Sequence, residues 1–276
     1  MPGQKPGFSG PNSLLKGPLA ALALIAAAPL SAADAAGPYP VPSMSEAPCP
    51  PSREGLWGLD ARVLKSDWAW LCAYRADNAK RDPAHPPRVV FIGDSITENW
   101  LAADPDFFAH GNLDRGLSGQ TSPQLLVRFY QDVIALHPRV VHIMVGGSDI
   151  AGNTGPTSPA AYQNAVRAMV DLAKANRIAV ILGTISPADH FDWNPAIHPA
   201  PQIDQLNQWL KDFAKAEHLV FADYHAVLAG PGGALLAPYA ADRVHPNPAG
   251  YALMRPIAER AIAQADQRAR QLRREN

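Results

Sequence analysis

Cysteine is scarce, with two residues in a 276-residue chain. Two thiols build neither a disulfide-dense scaffold nor a cysteine-only zinc site. An excess of either charge is also lacking. Lys plus Arg number 24 and Asp plus Glu number 25, a net charge of −1, so nothing electrostatic argues for nucleic acid as a partner. No H-E-x-x-H metal motif, no G-x-S-x-G nucleophile elbow and no fixed-period repeat occurs. The apolar run from Leu19 to Leu30 is too short to cross a bilayer, which takes roughly 20 residues. Hydrophobic residues at 47% against 18% charged exclude a disordered chain. What is left is a neutral, core-forming chain large enough for an enzyme.

The first segment reads as an address. Lys5 and Lys16 precede the apolar run, and Ser31-Ala32-Ala33-Asp34-Ala35-Ala36 follows it with A-x-A character. That is the pattern of a secretory signal peptide over residues 1–36, so the mature protein is expected to be exported, periplasmic or secreted, with no membrane span left. Residues 37–56 are Pro-rich and read as an extended lead-in to one domain over 57–276. Export permits a disulfide. Cys49 lies in the lead-in and Cys72 in a Trp- and Leu-rich stretch. Either one bridge joins them or they are two separate thiols with Cys72 buried.

Within the domain, residues 57–80 read as a helix. Four short apolar runs, Val89–Ile92, Val140–Val145, Ile178–Leu182 and Leu219–Ala222, read as strands buried on both faces. Helices with clear starts lie between them. Ser122-Pro123 and Ser158-Pro159 each place a capping hydroxyl before a proline, 201–217 is amphipathic, and Asn247-Pro248 opens the last helix. Strands alternating with helices predict an α/β domain, a three-layer αβα sandwich around a mostly parallel sheet. In such sheets chemistry gathers at the carboxyl ends of the strands.

The first of those strands runs into Gly93-Asp94-Ser95-Ile96-Thr97, which puts a serine hydroxyl at its carboxyl end. A nucleophilic serine needs a base, and the base needs an acid to orient it. Asp242 and His245 stand three positions apart in Asp242-Arg243-Val244-His245-Pro246-Asn247, a spacing that lets one turn bring the carboxylate to the imidazole. His142, inside a strand, reads as a core histidine, and His190 and His198 fall in a loop after the third strand run.

These blocks, with Asp114-Arg115-Gly116-Leu117-Ser118-Gly119-Gln120-Thr121 and Gly146-Gly147-Ser148-Asp149 between them, resemble the SGNH, or GDSL, hydrolase family in order and spacing. The resemblance covers residues 88 to 260 or so. It implies a flavodoxin-like sheet, no metal and no organic cofactor. It implies Ser95 as nucleophile, His245 as general base and acid, and Asp242 as the group that holds the imidazole. It also implies an oxyanion hole made from the N–H of Ser95, the N–H of Gly116 and a block-three side chain. There the chain departs from the family, with Ser148 in place of asparagine. Losing one such donor costs about 100- to 1000-fold in rate, so Ser148→Asn is expected to raise kcat by about tenfold.

The reading that follows is an exported serine esterase. It acts on short-chain esters, acetyl above all, with a small-molecule or glycan ester as substrate. Asp94, His190 and Trp193 are candidate substrate contacts. An O-acyltransferase using the same acyl-enzyme is the second reading, and a weakly active or inactive carbohydrate-binding or cell-envelope protein, suggested by Ser148, is the third.

Overall fold

The computed structural model describes residues 61–272 and Arg274. The proposed signal segment, the lead-in with Cys49, and residues 57–60 lie outside the described residues. Cys72 is disulfide-bonded.

The expected helix over 57–80 is divided in two. Helix α1 spans Ala61–Ser66 and α2 spans Arg75–Ala79. The Asp67 carboxylate ends the first by accepting the backbone N–H groups of Leu71 and Cys72 at 2.8 and 2.9 Å. Trp70 sits at φ +57°, a left-handed conformation that no helix continues through, with its ring buried. A short acidic side chain competing for backbone donors is a standard helix stop, and burial of the indole fixes where the chain turns.

The sheet has five strands. They are β1 (Val89–Gly93), β2 (Asn112–Gly116), β3 (Val140–Met144), β4 (Ala179–Gly183) and β5 (Val220–Ala222). Every pairing is parallel, in the order β2-β1-β3-β4-β5. That is the doubly wound arrangement with its switch point between β1 and β3. The three inner strands are buried at every position, which is why they appear as unbroken apolar runs. Strand β2, with sequence Asn-Leu-Asp-Arg-Gly, has no such run. It lies at an edge, and its Arg115 is held by Asp77 and Asn78, neighbours that sequence does not reveal.

Helices cover both faces. Val90 and Ile92 point into one apolar cluster with α5 (Ser122–Asp132), α7 (Pro159–Ala175) and α8 (Ala200–Ala216). Val89 and Phe91 point into the other with α3 (Ser95–Ala103), α4 (Pro105–Phe108) and α10 (Pro248–Leu272). Two short helices remain, α6 (Gly147–Ile150), which joins the first cluster through Ile150, and α9 (His225–Leu228), which joins the second through Leu228. His142 lies in the second cluster, stacked on Phe91 and bonded through Nε2 to the Tyr224 hydroxyl at 2.8 Å. Burial pushes its pKa down to about 3, so it stays neutral.

A polar seam crosses this apolar interior. Arg128 and Asp132 on α5 are fully buried and paired at 3.1 Å. The Arg128 guanidinium also donates to Gln120 Oε1 at 2.6 Å and to the Gly93 carbonyl at 3.1 Å. Asn78 donates to Asp132 at 2.7 Å and accepts from Arg115, which ties α2 and β2 to α5. A buried pair satisfied on every side gains its value from position more than from net energy. Here it holds the end of β1.

Gly116 ends β2 where α3 passes. A Cβ there would lie 2.1 Å from the Glu98 backbone nitrogen. Gly116→Ala must therefore push α3 away, at a cost of about 3 kcal/mol. The expected fall in Tm is roughly 6–12 °C for a domain of this size. A calorimetric shift below about 2 °C would contradict this close contact.

Asp114 accepts the Gly116 N–H at 2.8 Å through Oδ1, while Oδ2 is buried without a partner. Burial pushes its pKa up to about 7, against the pull of that hydrogen bond. An ionised carboxylate with a raised folded pKa destabilises the fold above that pKa, and the penalty fades as pH falls toward the ordinary value near 4. Asp114→Asn keeps the acceptor and removes the charge. It is expected to raise Tm more at pH 8 than at pH 5; equal shifts at both pH values would show that the buried charge is not the cause.

Candidate active site

Ser95 is the first residue of α3, directly after the Asp94 cap. Asp94 accepts the Ile96 N–H at 3.1 Å, which closes the turn and leaves the Ser95 side chain at the carboxyl end of β1. Asp94 is buried, and that burial raises its pKa to about 6 despite the Ile96 hydrogen bond and the charge of His245.

His245 arrives from 150 positions away and places Nε2 2.9 Å from Ser95 Oγ. Its other ring nitrogen, Nδ1, lies 2.7 Å from Asp242 Oδ2. The Asp242 Oδ1 atom accepts the backbone N–H groups of Val244 and His245, each at 2.7 Å. Three hydrogen bonds thus fix one carboxylate within its own turn. Partial burial would raise the Asp242 pKa, but the bonds from His245 and Val244 hold it below the ordinary value. The carboxylate therefore stays ionised across the neutral range and favours an imidazole with its proton on Nδ1. The turn is braced by Asn247, which donates to the Pro238 carbonyl at 3.0 Å and caps α10 by accepting the Gly250 N–H at 3.0 Å. Tyr251 on α10 then donates to the Ile96 carbonyl at 2.8 Å, joining the helix after His245 to the helix that starts at Ser95.

Ser95 and His245 open onto a cleft of about 190 Å³. Its wall includes Asp94, Gly119, Ser148, Asn153 and Trp193. Asp94 and Trp193 are thus at the cleft as the sequence suggested. His190 is not among its lining residues; it faces Asp192 at 3.6 Å and is replaced at the wall by Phe191, on which Trp193 stacks with centroids 5.1 Å apart.

Gly116 needs correction. Its N–H is committed to Asp114, its carbonyl accepts the Tyr74 hydroxyl at 2.5 Å, and it does not line the cleft. The block-two glycine that does is Gly119, three residues on, at φ +80°. Only glycine takes that conformation without strain, and only backbone is there to meet a ligand. The usable signal was Ser118-Gly119 just before the Thr121 cap of α5, a small residue at the last turn before a helix.

Asp149 accepts the Ser122 hydroxyl at 2.6 Å and the Ser122 N–H at 3.0 Å, which locks α6 to the start of α5; its burial raises its pKa to about 7 against those bonds. Asn153 accepts the Trp193 indole N–H at 2.9 Å. The sequence does not mark Asn153, because a carboxamide in a Gly-Asn-Thr-Gly loop looks like any turn residue.

Residues 91–253 match the model of the GDSL-like Lipase/Acylhydrolase family. A crystal structure of a Bacteroides fragilis protein assigned as an acylhydrolase is 44% identical with a TM-score of 0.70, covering 72% of this chain and 99% of that one. A GDSL-like lipase from Bacteroides thetaiotaomicron is 41% identical with a TM-score of 0.69, covering 71% and 98%. A catalytic mutant of an acetylxylan esterase from Geobacillus stearothermophilus is 25% identical with a TM-score of 0.52, covering 63% and 93%. A comparison with curated proteins returned no match. The five-stranded parallel sheet flanked by helices is the SGNH hydrolase fold, and the chain belongs to the GDSL-like lipase/acylhydrolase family.

Proposed function

We propose that this protein is an exported serine esterase that removes short acyl groups, acetyl foremost, from small-molecule or glycan esters. The observation that carries the reading is the unbroken line from Ser95 Oγ through His245 to Asp242, at 2.9 and 2.7 Å. In this reading Ser95 Oγ attacks the ester carbonyl carbon while its proton passes to His245 Nε2. The carbonyl π pair moves onto oxygen. Collapse of that intermediate expels the alcohol, which takes the proton from His245. A water then gives its proton to His245, attacks the acyl-enzyme and releases the acid, and Ser95 recovers its proton.

The oxyanion forms where backbone donors are unspent. Ser95 is the first residue of α3, so its N–H belongs to the turn whose donors have no partner within the helix. Gly119 supplies the second peptide group at the cleft, in place of Gly116.

Acyl size follows from volume. A cleft of about 190 Å³ is smaller than the 300–1,000 Å³ usual for drug-sized ligands, and a short acyl group fits it. The Trp193 indole, 38% exposed beside the cleft, offers a flat apolar edge for the alcohol part of the ester. A sugar ring is one such alcohol, and the likeness to an acetylxylan esterase supports an acetylated glycan. Export rests on the sequence pattern of residues 1–36.

The test is a panel of p-nitrophenyl esters from acetate to long chains, run beside acetylated xylan. Acetate is expected to be turned over fastest. Ser95→Ala is expected to lower kcat at least about 1000-fold and to abolish fluorophosphonate labelling. Full labelling in that variant would place the nucleophile elsewhere, and a preference for long chains would overturn the acyl assignment.

A further inference from the structure

The Ser148 substitution leaves a chemical gap. A carboxamide offers two N–H donors on an extended arm, whereas a serine hydroxyl is shorter and can accept as readily as it donates. Yet the cleft does contain a carboxamide. Asn153 lines it together with Ser95, Gly119 and Ser148.

The orientation of that amide is fixed by its partners. Asn153 Oδ1 accepts the Trp193 indole N–H at 2.9 Å, and an indole nitrogen can only donate. The oxygen end therefore faces Trp193, and the NH2 end faces the other way. Nδ2 lies 3.5 Å from the Gly119 carbonyl, a contact too long to be a strong hydrogen bond. One end of the amide is held, and the other presents donors with capacity to spare on the Gly119 side of the cleft.

The loop that carries it is pinned at several points. The Asn153 N–H donates to the Ser148 carbonyl at 3.1 Å. The Thr154 hydroxyl meets that of Thr121 at 2.9 Å, and Asn194 donates to the Ala151 carbonyl at 3.0 Å. Donors fixed before the reaction need no reorganisation as charge develops, which is the condition for stabilising a transition state electrostatically.

We propose that Asn153 is the side-chain member of the oxyanion hole in this protein. Its Nδ2 donates to the carbonyl oxygen that becomes negative when Ser95 attacks, and takes the role that Ser148 cannot fill. The inference rests on the esterase reading of the same cleft. It changes what Ser148 means. The serine no longer marks a site one donor short, because the donor comes from five positions further along the chain, oriented by an indole. Trp193 accordingly acts as a positioning residue through Asn153, besides any contact it makes with substrate.

The experiment uses the parent protein, Asn153→Ala and Asn153→Ala/Ser148→Asn, with p-nitrophenyl acetate as the probe and Tm measured for each. Asn153→Ala is expected to lower kcat about 100-fold, with KM within about threefold, because the contact strengthens only as the oxyanion forms. The second variant brings a carboxamide back from the block-three position and is expected to recover at least about tenfold of that loss. Recovery separates a missing donor from a damaged loop, since Ser148→Asn cannot repair a loop. An Asn153→Ala variant with kcat within about threefold of the parent would overturn the proposal, as would a loss that Ser148→Asn leaves unrepaired. A parent with neither ester turnover nor fluorophosphonate labelling would instead strike the esterase reading itself. Those failures are distinguishable, because the inference alone fails only in a protein that is active.

Discussion

Helix α3 is wedged between two strand ends with no room for a methyl group on either. A Cβ on Gly93 would meet Thr97 Oγ1 at 2.1 Å and the Met144 carbonyl at 2.4 Å, and one on Gly116 would meet the Glu98 nitrogen at 2.1 Å. These two glycines let the first turn of α3 sit down onto the carboxyl ends of β1 and β2. That contact sets the position of Ser95. The fully buried Arg128 adds a guanidinium bonded to the Gly93 carbonyl, so the strand end is held from the other side of the sheet. Close-packed backbone and a satisfied buried charge are both stiff. The proposed attack by Ser95, with His245 as its base, depends on that stiffness.

The histidine side is built differently. Asp242, Val244 and His245 form one hydrogen-bonded turn on a partly exposed loop, and its order is local. What fixes this turn to Ser95 is α10. Asn247 caps it, Tyr251 bonds α3, and the residues that follow bury themselves against β3, β4 and β5. The triad geometry is therefore a product of core packing as much as of the motif. The third wall of the cleft, Asn153 with Trp193, comes from loops after β3 and β4 joined by one indole hydrogen bond. The Ser95 wall and the Asn153–Trp193 wall hang on strand ends, as expected at the switch point of a doubly wound sheet, whereas the His245 wall hangs on α10.

Sequence reveals those parts of the structure that obey a single local rule. The inner strands show because burial on both faces demands unbroken apolar residues, and α7 shows because Ser158 caps it and Pro159 starts it. Strand β2 does not show, since Asp114 and Arg115 bond to Gly116, Asn78 and Asp77, partners scattered along the chain, and one Asp114 oxygen stays buried without a partner. The break between α1 and α2 depends on a buried Trp70 that helical spacing alone treats as one more apolar residue. Within the site, Ser95, Asp242 and His245 stand out because their motifs are compact. Choosing between Gly116 and Gly119 requires knowing which peptide N–H is already spent on Asp114. Asn153 is legible only with Trp193, 40 positions away, on the page. The sequence offers His190 as a polar neighbour of the cleft, but the aromatic Phe191 beside it is what the packing turns inward.

The central claim is that Ser95 carries the acyl group between an ester and water. Peptide mapping by mass spectrometry after rapid acid quench of turnover with an aryl acetate tests it directly. The account predicts a single acetyl adduct, on the peptide that contains Ser95, decaying as the substrate is exhausted. An acetyl group found on another side chain with the same rise and decay, or steady turnover by the parent protein with no adduct on Ser95 at any quench time, would contradict it.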